Sequence, residues 1–268
     1  QGHETRLLTR AAGGDYLWDA RPGSVPPEAI TWAQGVISLN GASLNHLPWT
    51  ASYRRLIESS RVYPSTALAQ AIAESSDPPQ VWVSGSAIGI YGDAGDQILD
   101  ETAPPGETFL ADVVQKWEAA TETARAHTRV VLARTGIVLA RDGALRPLGL
   151  ATRFGFGARI GPGTQWWGWI SLIDEVRALI HALEMDSIVG PVNLVAPQPV
   201  QANDITRTLA KVLHRPHALV LPSPLIRLAM AGADELLLNS QRVHPQTLLT
   251  TNFPFHHPDL QTAITATQ

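Results

Sequence analysis

The sequence predicts an α/β protein, a parallel β-sheet with helices on both faces, followed by a smaller C-terminal α/β lobe. Two observations predict it. Short runs dominated by apolar and β-branched residues, the pattern of strands buried on both faces, recur through the first half. Between them lie stretches whose apolar residues repeat at helical spacing, so strands and helices alternate as βαβ units require.

In chain order, Arg6–Thr9 predicts a first strand and Gly35–Leu39 a second; Val81–Ser84 and Val130–Ala133 predict buried parallel strands. Thr50–Ser59 and Ser65–Ala73 predict helices, the latter through Leu68, Ala69 and Ile72. Phe109–Ala126 predicts a longer helix with Leu110, Val113, Val114 and Trp117 on one stripe. Past Leu139 the pattern loosens. Arg153–Trp169, rich in Gly and Trp, predicts a loop over a site. Ile173–Leu183 predicts a helix, Pro191–Val195 a short strand, and Asn203–Leu213 a helix with Asn203 as its N-cap. From Pro222 onward, prolines separate further helices. The chain divides into a sheet-based core over residues 1–150 and a C-terminal lobe over 151–268, with the chain crossing between them.

Composition narrows the function. The 268 residues carry a formal net charge of −4, which argues against a nucleic-acid or anionic-membrane surface, where a basic stripe is expected. There is no cysteine, which excludes disulfides, thiolate metal sites and Cys nucleophiles. No apolar run approaches the roughly 18 residues of a membrane helix, and the polar opening Gln1-Gly2-His3-Glu4 is unlike a signal peptide. These features predict a soluble cytoplasmic protein with no nucleic-acid or membrane partner; a monomer or homodimer is expected.

Three segments carry candidate chemistry. Ser38-Leu39-Asn40-Gly41-Ala42 directly follows a strand, and a Gly-containing turn there lets backbone approach a flat ligand, although ordinary βα turns share the pattern. Val83-Ser84-Gly85-Ser86-Ala87, followed by Tyr91-Gly92-Asp93, places hydroxyls at the end of a central strand, where they serve a substrate carbonyl or carbinol, or merely cap a turn. Thr9-Arg10 ends the first strand with no acid before Asp15. In dinucleotide-binding folds an acid there binds a ribose 2′-hydroxyl and Arg accommodates a 2′-phosphate, while a solvated surface Arg is the alternative. His214/His217 and His256/His257 lack a carboxylate cluster, so no metal site is predicted. The tryptophans 166, 167 and 169 suit either stacking on a ligand or packing a flap, and Glu118 suits either a buried acid or a solvated helix face.

Taken together these segments resemble the atypical, sugar-nucleotide epimerase-like branch of the extended short-chain dehydrogenases/reductases, over essentially the whole chain. The matching pieces are Leu17-Trp18-Asp19, Ser38–Ala42, Trp49-Thr50, Ser60-Arg61-Val62 with Thr66, Ser84–Asp93, and Phe109-Leu110 with Trp117-Glu118. Arg134–Leu139, Gln165 with Trp169-Ile170 and Asp174, Gly190–Pro197, and a C-terminal extension through Ser240-Gln241-Arg242-Val243, Pro245, Phe253 and Pro258 complete the series. The resemblance implies a Rossmann-like NADP-binding domain, NADP(H) as cofactor and a small-molecule substrate. Thr9 and Arg10 would hold the adenosine 2′-phosphate, and Leu39 and Asn40 would line the dinucleotide groove. Arg61 would reach toward the cofactor, and Val138 would meet the nicotinamide end. Ser86 stands where the superfamily places its catalytic Ser or Thr.

Two departures accompany the resemblance. The glycine-rich first βα unit that cradles a pyrophosphate is missing from this chain and is expected to precede it in the native protein. The superfamily's Tyr-x-x-x-Lys pair is also missing: none of Tyr16, Tyr53, Tyr63 and Tyr91 has a lysine four residues later, leaving Tyr91 or Glu118 as substitute acid/base groups. The function expected is that of an NADP(H)-dependent epimerase or oxidoreductase acting on a nucleotide sugar or other small carbonyl substrate. The alternatives are a non-catalytic NADP(H)-binding sensor or scaffold and a purely structural partner.

Overall fold

The computed structural model describes residues 2–20, 24–141, 143 and 146–267. Its first half runs β1 (Leu8–Thr9), β2 (Tyr16–Leu17), α1 (Pro27–Trp32), β3 (Gly35–Ser38), α2 (Ala51–Glu74), β4 (Val81–Ala87), β5 (Ile98–Leu99), α3 (Phe109–Ala119), β6 (Arg129–Thr135) and β7 (Ile137–Leu139). The second half runs α4 (Arg146–Arg153), β8 (Gly157–Ile160), β9 (Trp166–Trp167), β10 (Trp169–Ser171), α5 (Leu172–Glu184), β11 (Gly190–Leu194), β12 (Val200–Gln201) and α6 (Ala202–Val212). It ends with β13 (His217–Leu221), α7 (Ser223–Met230), α8 (Glu235–Leu238), β14 (Arg242–Val243), α9 (Gln246–Thr250) and α10 (Leu260–Thr265).

The expected α/β architecture is present. Strands β11, β6, β4 and β3 form one parallel sheet in that order, in register through Ser38↔Ser84, Ser86↔Arg134 and Leu194↔Thr135. Side chains alternate across a strand, so each face builds its own core. Val81, Val83, Val131 and Ala133 pack with Ala178, Leu179 and Ala182 of α5, whereas Trp82, Val130 and Leu132 pack with Ala67, Leu68 and Ile72 of α2. β1 and β2 form a separate parallel ribbon, whose Leu8 and the following Trp18 rest on the second of these cores. β3 is an edge of the main sheet.

The two helices expected on either side of Tyr63-Pro64 are one helix. Thr50 caps it by accepting from Tyr53 N at 3.2 Å, and Pro64 lies inside it. A proline has no N–H, so the Ser60 carbonyl one turn earlier loses its helical donor; Asn40 Nδ2 supplies one at 3.0 Å. The helix expected over Phe109–Ala126 stops at Ala119 and continues as a short 3-10 turn over Glu122–Ala124. Asn203 is inside the first turn of α6 rather than capping it; Gln201 takes the cap position, and Asp204 Oδ2 accepts from Gln201 N at 3.3 Å.

The stretch expected to be a loop, Arg153–Trp169, instead closes α4 and contributes β8, β9 and the start of β10. β8 pairs with β13, β9 with β12 and β10 with β7. Trp167 and Trp169 are buried in the core of the C-terminal lobe with Ile160, Ile205, Ile226 and Ile264. The boundary expected at residue 150 falls within α4. The chain then returns to the sheet: β14 pairs with β5, and Leu248 and Phe253 enter the core under α5. Asp174, 1% exposed, accepts from His256 N at 2.7 Å and His257 N at 2.8 Å, which fastens this return. Among the described residues no helix is long and apolar enough to cross a membrane.

Candidate active site

Ligands of open α/β sheets bind at the carboxyl ends of the strands. Here those ends bring Ser38, Ser84, Ser86 and Arg134 together through the register of β3, β4 and β6. Ser38 and Ser84 are buried; the Trp82 indole donates to Ser38 Oγ at 3.0 Å.

The turn after β3 is tied to α2. Besides the Asn40 bond to Ser60, Ala42 N donates to Ser60 Oγ at 2.8 Å, and Arg61 donates to the Ala42 carbonyl at 3.2 Å and to the Ile57 carbonyl at 3.0 Å. A Cβ on Gly41 would stand 2.8 Å from Arg61 Cζ, so only glycine lets the guanidinium lie against the turn. Burial depresses the Arg61 pKa. Asn40 and Arg61 are thus parts of one clamp, which leaves Leu39, 62% exposed, as an apolar ledge beside the strand end. Thr9 Oγ1 accepts from Ala11 N at 3.2 Å as the chain turns after β1, and Arg10 is exposed there. Val138 is half-buried on β7, opposite Ile170 of β10.

Ser86 is 4% exposed and donates to Glu118 Oε1 of α3 at 2.6 Å. Arg134 grips both oxygens of that carboxylate, Nε to Oε1 and an Nη to Oε2, each at 2.9 Å. Burial works against the Arg134 charge, but the hydrogen bonds and charge of Glu118 outweigh it, so its pKa is raised. Its other Nη donates to Tyr91 Oη at 3.0 Å. Tyr91 is 3% exposed, its hydroxyl donating to Asn193 Oδ1 at 2.7 Å, with the Asp100 carbonyl at 3.0 Å. Burial raises the Tyr91 pKa, so the phenol stays protonated. The network extends through Glu101 Oε1, which accepts from the backbones of Asn193 and Thr247 at 3.0 and 3.1 Å.

Arg134, Asn193 and Glu101 were not singled out by sequence reasoning. The signal was a guanidinium directly after the apolar run Val130–Ala133: a charge ending a buried strand demands a buried counter-charge. Another buried acid, Glu175 on α5, accepts from Thr135 Oγ1 at 2.7 Å, while its other oxygen has no hydrogen-bond partner among the described residues. Burial pushes its pKa up to about 7. No cluster of three or more His, Asp or Glu suited to a metal occurs among the described residues.

Comparison with known proteins agrees with this architecture. Residues 221–267 match the domain of unknown function DUF1731. An epimerase family protein of Mycobacterium leprae is 39% identical over 259 residues, covering 96% of this chain and 84% of the relative. The crystal structure of human epimerase family protein SDR39U1 (isoform 2) with NADPH superposes with a TM-score of 0.89 at 29% identity, covering 99% of this chain and 90% of that one. The nucleoside-diphosphate sugar epimerase from Corynebacterium glutamicum superposes with a TM-score of 0.79 at 34% identity, covering 98% of this chain and 52% of that one. With a Rossmann-like sheet, a clamped turn after β3, a C-terminal DUF1731 lobe and this level of shared sequence, the chain belongs to the epimerase family that includes SDR39U1.

Proposed function

We propose that this chain binds NADP(H) across the carboxyl ends of β3, β4 and β6 and serves as an epimerase-type oxidoreductase on a nucleotide sugar or similar small carbonyl compound. The clamped Asn40-Gly41-Ala42 turn carries the proposal. It holds a glycine and an exposed Leu39 rigidly at a strand end, the flat apolar surface that a dinucleotide needs. Exposed Arg10 would meet the 2′-phosphate, and Val138 the nicotinamide end. The NADPH found in the SDR39U1 structure supports the same cofactor.

The cofactor would supply hydride chemistry; the chain supplies proton handling. Without a Tyr-x-x-x-Lys pair, the group at the strand end is Ser86, whose hydrogen is held by Glu118 at 2.6 Å while Arg134 fixes the carboxylate from both oxygens. A proton leaving a substrate hydroxyl would pass to Ser86 Oγ as the Ser86 proton passes to Glu118 Oε1, and return by the same route. Arg134 and Tyr91 act as positioning residues, since both are buried behind Ser86 and tied to Glu118, Asn193 and backbone carbonyls. NADPH fluorescence titration of the complete native protein tests the binding, and its oxidation of NADPH in the presence of UDP-4-keto sugars tests the chemistry. Saturable binding with turnover that Ser86→Ala slows supports the enzyme. Binding without turnover favours the sensor reading, and no binding refutes both.

A further inference from the structure

Behind β7 lies a cavity of about 270 Å³ lined by groups from four elements and the adjoining chain, and none of Ser86, Asn40, Arg61 or Val138 reaches it. Helix α4 presents Arg146, Gly149, Leu150 and Arg153 to it, the i, i+3, i+4, i+7 spacing of one helix face. Arg141, just past β7, adds a third guanidinium, and no acidic residue is among the described lining residues.

The floor is apolar. Leu139, 1% exposed, Leu209 of α6 and Ile264 of α10 close it, all three belonging to the core of the C-terminal lobe. The other side of α4 holds the helix down: Leu148 packs on that core and Thr152 is buried. The arginine face is therefore turned to the cavity by packing. Between the two arginines, about 10 Å apart along the axis at 1.5 Å per residue, Gly149 leaves a gap. A Cβ built on it meets nothing within 4 Å.

Three cations over an apolar floor do not suit water alone or a purely apolar guest. Guanidinium forks match phosphate and carboxylate oxygens two at a time, with five donors each; Arg146 and Arg153 also make interactions within the chain. The volume lies just under the ~300–1,000 Å³ of ordinary ligand pockets, which restricts the guest to a fragment-sized molecule. We infer that this cavity is a second binding site, separate from the strand-end groove, for a small organic phosphate monoester whose apolar body rests on Leu139, Leu209 and Ile264. Leu139 and Val138 are consecutive on β7 with side chains to opposite faces, so an occupant would press on the strand that carries Val138.

Isothermal titration of the full chain with phenyl phosphate, at fixed ionic strength and with inorganic phosphate in a parallel arm, tests this. The expected result is one saturable site that binds phenyl phosphate at least tenfold more tightly than inorganic phosphate. Arg146→Gln/Arg153→Gln and Gly149→Leu should each weaken it tenfold or more. Gly149→Leu fills the gap without touching charge or core, so it decides the matter even where the double arginine variant fails to fold. Equal affinity for the two phosphates, or affinity that Gly149→Leu leaves unchanged, would show a merely basic surface and overturn the inference, as would the absence of saturable binding. Because no cofactor is present in the titration, the outcome is independent of the strand-end proposal.

Discussion

Asn40 and Pro64 are coupled through the Ser60 carbonyl: the proline removes the helical donor, and the asparagine amide replaces it at 3.0 Å. The helix interruption thereby becomes the anchor of the turn proposed to hold the cofactor. Asn40→Ala is expected to leave that carbonyl unsatisfied, at roughly 1–3 kcal/mol of stability, and to weaken NADPH binding. Pro64→Ala should do the opposite to the helix, raising the Tm, while competing for Ser60 and weakening NADPH about fivefold, as loss of ~1 kcal/mol of anchoring implies. Thermal unfolding and NADPH fluorescence on both variants check the pair.

Gly41→Ala should be tolerated by the fold but not by the clamp. Its Cβ would stand 2.8 Å from Arg61 Cζ, so the guanidinium must leave the Ala42 carbonyl. Fluorescence titration should show NADPH binding weakened by about tenfold, or ~1.4 kcal/mol, with the urea midpoint shifted only slightly. Unchanged affinity would separate the clamp from cofactor binding.

Arg134→Met is expected to destabilise strongly. Both charges of the Arg134–Glu118 pair are nearly inaccessible, with side chains 8% and 12% exposed. Removing the cation strands a buried carboxylate, at roughly 3–5 kcal/mol. Adding Glu118→Gln should recover part of that loss in urea unfolding, since the remaining group is then neutral. A double variant less stable than Arg134→Met would contradict a buried pair.

Glu175 makes stability depend on pH. Its native pKa of about 7 lies above the ordinary 4.5, so between these values the native state holds the proton that the unfolded chain has lost. Stability attributable to this group is greatest below pH 4.5 and falls as pH rises through 7, by about 3 kcal/mol in total. Glu175→Gln should remove that slope. Denaturation at pH 5.5 and pH 8 compares the two proteins; parallel pH profiles would place the ionisation elsewhere.

Much of the sheet was legible because buried parallel strands announce themselves. Val81–Ser84 and Val130–Ala133 lengthened by only a few residues into β4 and β6, and Gly35–Leu39 became β3. The lobe was less legible, since β9 and β12 are too short for any alternation to register, and tryptophans 166, 167 and 169 read equally well as stacking on a ligand or packing a flap. The helices expected over Thr50–Ser59 and Ser65–Ala73 are one, because the donor that compensates Pro64 sits 24 residues earlier in sequence, out of reach of any local pattern. Ser86 was placed at a strand end by its motif, but its partners Glu118 and Arg134 depend on the helix-to-strand packing that only folding supplies.

The returning segment has a consequence for synthesis. Leu248 and Phe253 complete a core begun by Val81 and Val83, and Asp174 secures the backbone of His256 and His257. A nascent chain halted near residue 230 would hold every strand of the main sheet yet leave one of its faces partly wet. Contacts spanning such sequence separations close late, so the emerging polypeptide relies on Leu248 and Phe253 to seal what Val81, Val83, Val131 and Ala133 laid down.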